Sequence, residues 1–182
     1  MPAVESKDGM LGRSAPDFNL KNIDGSFKNL QDCMGENGLV IGFICNHCPF
    51  VMAIQDRIIE LTSDLQILGV NLVAINSNDA INFPDDSFDN MVKIAQQKKY
   101  PFPYLHDESQ EIAKKYDVAC TPEFYGLNSQ ATILYHGRLD DSGREFKTNS
   151  KRELYFAIEE IVKTGKAPAV QNPAIGCSIK WK

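Results

Sequence analysis

The sequence has no apolar run long enough to cross a bilayer. Its longest, Leu39 to Cys45 with one glycine inside it, falls far short of the ~20 residues a spanning helix needs. The stretch from Met1 to Asp17 is polar and holds no apolar core of the kind that directs secretion, so a cytoplasmic protein without a membrane partner is expected. Positive charge is not in excess either: 19 Lys and Arg stand against 24 Asp and Glu, a net charge of −5. That argues against nucleic acid or an anionic membrane as partner, since neither would be attracted. The lysine pairs Lys98–Lys99 and Lys114–Lys115 fall in helical patterns and read as solvated faces. There is no internal repeat and no low-complexity stretch. Nor do the cysteines form the even, regularly spaced set of a secreted disulfide framework: there are five, Cys33, Cys45, Cys48, Cys120 and Cys177, at irregular intervals. In a reducing compartment such cysteines are more often redox or metal residues than staples.

What is present is enough for one ordinary domain. A chain of 182 residues, 43% of them hydrophobic, can bury a core without covalent help. Residues 1–182 are expected to form a single domain, with 166–182 a surface-wrapping tail anchored by Ile179 and Trp181. Phe18-Asn19-Leu20 and Phe27 flank Asp24-Gly25, which predicts a β-hairpin over Asp17 to Leu30. Leu39 to Ile44 is a continuous apolar run, the pattern of a strand buried on both faces. Val51, Ile54, Ile58, Leu61, Leu65 and Leu68 then recur at steps of three and four, predicting a long helix ended by Gly69. Val70 to Asn76 reads as a second buried strand, completing a right-handed β-α-β unit with parallel strands.

A polar, acidic loop (Asn76 to Ser87) leads to a helix around Phe88 to Lys99, broken by Tyr100-Pro101-Phe102-Pro103. A short helix at Glu108 to Tyr116, a β-meander of Phe124 to Leu127 and Thr132 to Leu139, and a final helix over Lys151 to Lys163 follow. The expected class is α/β, a mixed sheet flanked by helices with an N-terminal hairpin.

Cys45-Asn46-His47-Cys48 falls where the first buried strand hands over to the long helix. A cysteine placed there is expected to be exposed at the helix N-terminus, where unpaired N–H groups and the helix dipole favour a thiolate. Cys45 takes that place. Cys48, one turn on, can close a disulfide with it, and Pro49 needs no N–H in a first turn. His47, if protonated, would add positive charge beside the sulfurs. The spacing alone is shared with zinc sites; its position in a β-α-β unit is what points to redox chemistry.

The second element is Cys120-Thr121-Pro122, just before a strand. These residues, with Gly12-Arg13-Ser14-Ala15-Pro16-Asp17-Phe18 and Asp24-Gly25, resemble thioredoxin-like proteins of the alkyl hydroperoxide reductase / thiol-specific antioxidant superfamily. Within it the chain is most similar to a peroxiredoxin-like branch with an asparagine-histidine C-x-x-C. Phe102-Pro103-Tyr104-Leu105, Asp107-Glu108, Gln110 and Gly176-Cys177-Ser178-Ile179-Lys180-Trp181 also look like that branch. The resemblance implies a thioredoxin-like fold, a cis bond before Pro122 facing the cysteines, and a Thr121 backbone free to hold a substrate chain by strand addition.

Two chemistries stand open in that superfamily, and a third comes from outside it. As a thiol–disulfide oxidoreductase, Cys45 would attack a protein or small-molecule disulfide and Cys48 would resolve, with an unidentified thiol as electron donor and no cofactor or metal. As an antioxidant peroxidase, Cys48 would meet the peroxide. The threonine that family sets three residues earlier is here Cys45, and the proline seven earlier is Ile41. Its arginine has no counterpart at Thr121-Pro122-Glu123, and no pattern positions Arg57 or Arg138 in its stead. As a metal-binding module, Cys45, His47, Cys48 and Cys120 would converge on an ion.

Cys120 is either an auxiliary thiol that relays the disulfide or a small buried hydrophobe. Cys177 is either a further redox partner docking from the tail or a free surface thiol. Cys33 is expected to be structural. Asn76, Ser77, Asn78 and Asp79 read as a loop and helix cap, with a substrate contact as the alternative. Glu123 is either a proton acceptor for Cys48 or an exposed strand residue; His106 and His136 read as surface or satisfied side chains.

Overall fold

The computed structural model describes residues 3–7, 9–145 and 147–182. Met1, Pro2, Asp8 and Phe146, which the single-domain expectation includes, lie outside the described residues. Among the described residues ten strands and five α-helices follow in the order β1 (Ala3–Glu5), β2 (Asn19–Asn22), β3 (Phe27–Asn29), α1 (Leu30–Cys33), β4 (Gly38–Phe43), α2 (Pro49–Ile67) and β5 (Val70–Asn76). Then come a 3-10 turn at Pro84–Asp86, α3 (Phe88–Lys98), β6 (Tyr104–His106), α4 (Glu111–Lys115), β7 (Cys120–Thr121), β8 (Glu123–Asn128), β9 (Ile133–Gly137), α5 (Glu153–Thr164) and β10 (Ile175–Ser178). Seven strands form one mixed sheet in the order β3-β2-β6-β5-β4-β8-β9, and β1-β10-β7 form a small second sheet.

The α/β expectation and its main elements are seen. β4 runs parallel to β5 and antiparallel to β8, so it is central. Its side chains alternate between two cores. Leu39, Ile41 and Phe43 pack with Val73, Ile75, Tyr116 and Tyr125 on the face covered by α1 and α4. Val40, and Ile44 just past the strand, pack with Leu61 and Leu65 of α2, Met91 of α3 and Ile158 of α5 on the other. This explains the unbroken apolar run: a strand with helices on both faces has no solvent side. Gly69, at φ +71, ends the helix in the left-handed conformation that glycine adopts without a Cβ penalty.

Several sequence expectations need correction. The long helix begins at Pro49 with Cys48 as its N-cap, so the helix end belongs to Cys48 and not to Cys45. β6 was not foreseen; three residues after a double-proline break carry too little pattern to register, yet they pair parallel to β5. The expected helix over Glu108 to Tyr116 is only α4. The tail does more than wrap the surface, since β10 is the middle strand of the second sheet. Ile179 is buried as expected, but Trp181 is 43% exposed and lies under the Lys114 ammonium rather than anchoring the tail in the core. Among the described residues no helix is long and apolar enough to cross a membrane.

Candidate active site

The sheet register builds the site. Phe43, the last residue of β4, pairs with Ile75 on one side and Glu123 on the other. The chain leaving β4 therefore enters a gap between the loop after β5 and the start of β8. Cys45-Asn46-His47-Cys48 fills that gap, with the cis Thr121–Pro122 bond on the β8 side. The cis geometry implied by the resemblance is present. Cys45 Sγ lies 3.3 Å from Thr121 Oγ1, and the Cys48 thiol donates to the Thr121 carbonyl at 3.2 Å. Cys45, Cys48, Thr121 and Pro122 are thus brought together.

Cys45 was expected to be exposed, and it is not. Cys45 is 2% and Cys48 1% accessible, because β4, α2 and the Thr121–Pro122 strand close over them. Their electrostatics also differ from the expected order. Donation from the Cys45 thiol holds Cys48 below the ordinary thiol value, outweighing burial, with the Val51 N–H of the helix first turn and Cys177 adding to it. The same donation raises Cys45, and burial and the nearby Asp86 carboxylate raise it further, against a smaller opposing effect of the Thr121 hydroxyl. The place of Cys48 at the helix N-cap favours negative charge on it.

His47 keeps a ring nitrogen within 4.8 Å of Cys45 Sγ, but its nearest partner is a carboxylate. Its Nδ1 lies 2.7 Å from Asp86 Oδ2, a fully buried carboxylate, and its ring stacks on Phe83 at 5.8 Å. Asp86 also accepts from the Asn46 N–H at 2.6 Å and from Asn78 Nδ2 at 2.7 Å, while Asn46 Oδ1 accepts from the Tyr104 hydroxyl at 2.9 Å. Asn76 and Asn78 therefore hold a loop that clamps the cysteine segment, and Ser77 donates to Asp107 at 2.8 Å. Asp86 was missed in the sequence. The available signal was an acidic residue in the loop at the carboxyl end of a parallel strand, where α/β ligand sites gather.

Cys120 turns to the opposite side of its strand from Thr121. It is buried, its thiol is 3.7 Å from Glu123 Oε2, and burial followed by the Glu123 charge pushes its pKa upward. Glu123 is not an exposed strand residue, as one expectation had it, but fully buried. Its carboxylate takes the Ala119 and Cys120 N–H groups (2.9 and 3.0 Å), the Tyr125 hydroxyl (2.8 Å) and His136 Nε2 (2.7 Å). His136 is accordingly a satisfied interior residue. Cys33 is buried in the second core, where desolvation pushes it up to about 11.

Among the described residues, Cys45, His47 and Asp86 are the group whose donor atoms could share a metal ion, all lying within 4.8 Å of one another. Cys48 and Cys120 are not part of it, contrary to the ligand set considered from sequence. Two nitrogen or oxygen ligands on one tetrahedral zinc stand about 3.3 Å apart, as bond lengths of ~2.0 Å require. The 2.7 Å between His47 and Asp86 is shorter than that and is the separation of a direct ion pair. Arginines are engaged elsewhere: Arg138 forks onto Glu153 at 2.7 and 3.0 Å, and Arg57 pairs with Asp140 at 3.0 Å.

The expectation that the Thr121 backbone is free to hold a substrate chain is overturned. Thr121 already pairs with Cys177 of β10. An apolar cleft of about 250 Å³ lies beside Pro122, lined by Phe50, Ile54, Leu139 and Ile175 and flanked by Arg138.

A central β4–β5 parallel pair, an antiparallel β8, and two cysteines against a cis-proline at the head of α2 define a thioredoxin-like protein. The sequence pattern of the AhpC/TSA family matches residues 11–141, and the chain belongs to that family. Among solved structures it is similar to an uncharacterized conserved protein from Geobacillus kaustophilus, 47% identical over 100% of this chain and 97% of that one, with a TM-score of 0.94. A hypothetical protein from Sinorhizobium meliloti 1021 is 34% identical over 98% of both chains, with a TM-score of 0.90. The thioredoxin domain of a thiol-disulfide oxidoreductase from Bacteroides vulgatus shares the fold at 14% identity and a TM-score of 0.63, over 84% of this chain and 97% of that one. No curated protein matches the sequence.

Proposed function

We propose that this protein is a thiol–disulfide oxidoreductase in which Cys45 and Cys48 cycle between dithiol and disulfide. The observation that carries this reading is the meeting of both sulfurs on Thr121, one at its hydroxyl and one at its carbonyl, directly before the cis-proline. Membership of a redox family and the fold shared with a thiol-disulfide oxidoreductase domain support it. Cys48 stands at the helix N-cap, where a thiolate is favoured, so the attack on a substrate disulfide falls to Cys48 and resolution to Cys45, the reverse of the order expected from sequence. The apolar cleft beside Pro122 suits a side chain of a protein disulfide substrate, and a thiol of the cell serves as electron donor.

A peroxidase reading is favoured by one observation, the place of Cys48 at the helix N-cap, the position a peroxiredoxin uses. Against it, Cys45 stands where that chemistry needs a threonine, and Arg138 is held by Glu153.

Insulin-disulfide reduction and peroxide consumption, measured side by side, test both. Disulfide exchange should be lost in Cys45→Ser and in Cys48→Ser. Rapid peroxide turnover that survives Cys45→Ser and dies with Cys48→Ser, without disulfide exchange in the wild type, would establish the peroxidase instead.

A further inference from the structure

The strand that covers the active site carries a thiol of its own. β10 lies antiparallel to β7, with Cys177 opposite Thr121 and Ser178 opposite Cys120. Thr121 is the residue both active-site sulfurs touch, so its partner across the ladder sits over them. Cys177 packs against the core cluster that contains Cys45 and Cys48, and its thiol and backbone help to hold the Cys48 thiol below the ordinary value. The approach is as close as a backbone permits: a Cβ on Gly176 would stand 2.0 Å from the Thr121 carbonyl oxygen. The tail thus occupies the edge where strand addition would hold a substrate peptide, and it presents a sulfur there. Cys45 and Cys48 are buried, while Cys177 is partly accessible.

We propose that Cys177 is a third redox thiol, exchanging with the Cys45–Cys48 disulfide so that the oxidising equivalent moves from the buried pair to the surface. The proposal rests on the redox function of the pair. In the exchange the Cys177 sulfur attacks Cys48 Sγ; the Cys48–Cys177 bond forms, the Cys45–Cys48 bond breaks, and the proton lost by Cys177 ends on Cys45. No electrons are gained or lost in that step. An external dithiol then attacks Cys177 Sγ, expels the Cys48 thiolate and closes its own disulfide, which returns the three cysteines to thiols. Cys48 suits the last role, because a thiol held at low pKa is the better leaving group.

The test oxidises full-length wild type, Cys45→Ser, Cys177→Ser and Cys177→Ala with one equivalent of diamide, alkylates the remaining thiols and maps disulfides by mass spectrometry. The rate of re-reduction by dithiothreitol is followed in parallel. A Cys48–Cys177 disulfide in Cys45→Ser, together with slowed re-reduction in both Cys177 variants, is the expected result. If the wild type forms Cys45–Cys48 but Cys45→Ser never forms Cys48–Cys177, the relay is overturned and the function of the pair stands. Re-reduction of both Cys177 variants at the wild-type rate overturns it equally. A wild type with neither disulfide overturns the function of the pair, and the relay with it.

Discussion

His47 Nδ1 lies 2.7 Å from Asp86 Oδ2, so the imidazole meets a buried carboxylate more closely than it meets the Cys45 sulfur. The negative charge of Asp86 also acts on Cys45, whose thiol it helps to raise. Replacing Asp86 by Asn should therefore move the Cys45 titration downward. The shift is read from the pH dependence of Cys45 alkylation, comparing Cys48→Ser with Cys48→Ser/Asp86→Asn. An unchanged midpoint would show that the carboxylate does not reach the thiol. The substitution also weakens the bonds from Asn46 and Asn78 and removes the ion pair with His47, at a cost of about 3 kcal/mol in urea unfolding, as for one partner lost from a buried charged group.

Cys48 should ionise below the ordinary thiol value of 9.0, chiefly because the Cys45 thiol donates to it. Cys45→Ala removes that donor, so the thiolate absorbance of the remaining pair member should appear at higher pH than in the wild type. Cys45→Ser keeps a hydroxyl and should shift it less. Equal titrations in all three proteins would mean that the helix end alone sets the value. A stabilised thiolate favours the reduced form, so the pair should also be more oxidising than a dithiol whose members both ionise at the ordinary value.

The strands and helices that frame the site were legible because their signals are local. Leu39 to Ile44 and Val70 to Asn76 are continuous apolar runs, and Val51 to Leu68 repeats with the helical period. The cysteine pair was legible because its spacing falls at the junction of those patterns. What the sequence could not convey is long-range pairing. That β10 lies on β7, and that Asp86 turns back onto His47, depend on contacts between residues far apart in the chain. The same limit hid that both cysteines are buried and which of them takes the helix end, since a shift of three residues in the helix start passes that end from one to the other. Glu123 was ambiguous for another reason: a carboxylate on a strand reads as exposed unless its partners are known, and His136 is thirteen residues away.

Glu123 should set part of the acid limit of stability. Burial pushes its pKa up, but the bonds from His136, the Cys120 N–H and Tyr125 outweigh this and hold it below 4.5. A carboxyl group depressed in the folded state contributes stability that is fully present above 4.5 and lost as the pH falls through the folded value. Urea unfolding from neutral pH into that range should show the decline. Glu123→Gln should flatten it while lowering stability at neutral pH by about 3 kcal/mol, because His136 loses its charged partner. An acid limb as steep as in the wild type would assign the decline to other carboxyl groups.

Gly176→Ala should uncover the cysteine pair without unfolding the chain. The new methyl group would meet the Thr121 carbonyl at 2.0 Å, a backbone contact that no side-chain rotation relieves. β10 must then lift from β7 near residues 175–177. Beyond that point the tail stays pinned: Ile179 is buried, Lys180 N–H donates to Asn78 at 2.9 Å, and its carbonyl accepts from Gln110 at 2.7 Å. The expected cost is about 1–3 kcal/mol, the range for an overpacked contact. Native-state alkylation of Cys45 and Cys48, resolved by mass spectrometry, should be faster in the variant than in the wild type by more than the change in global unfolding explains. Labelling that rises only in step with global unfolding would mean that the pair is sealed by β4 and α2, with the tail strand contributing nothing to its cover.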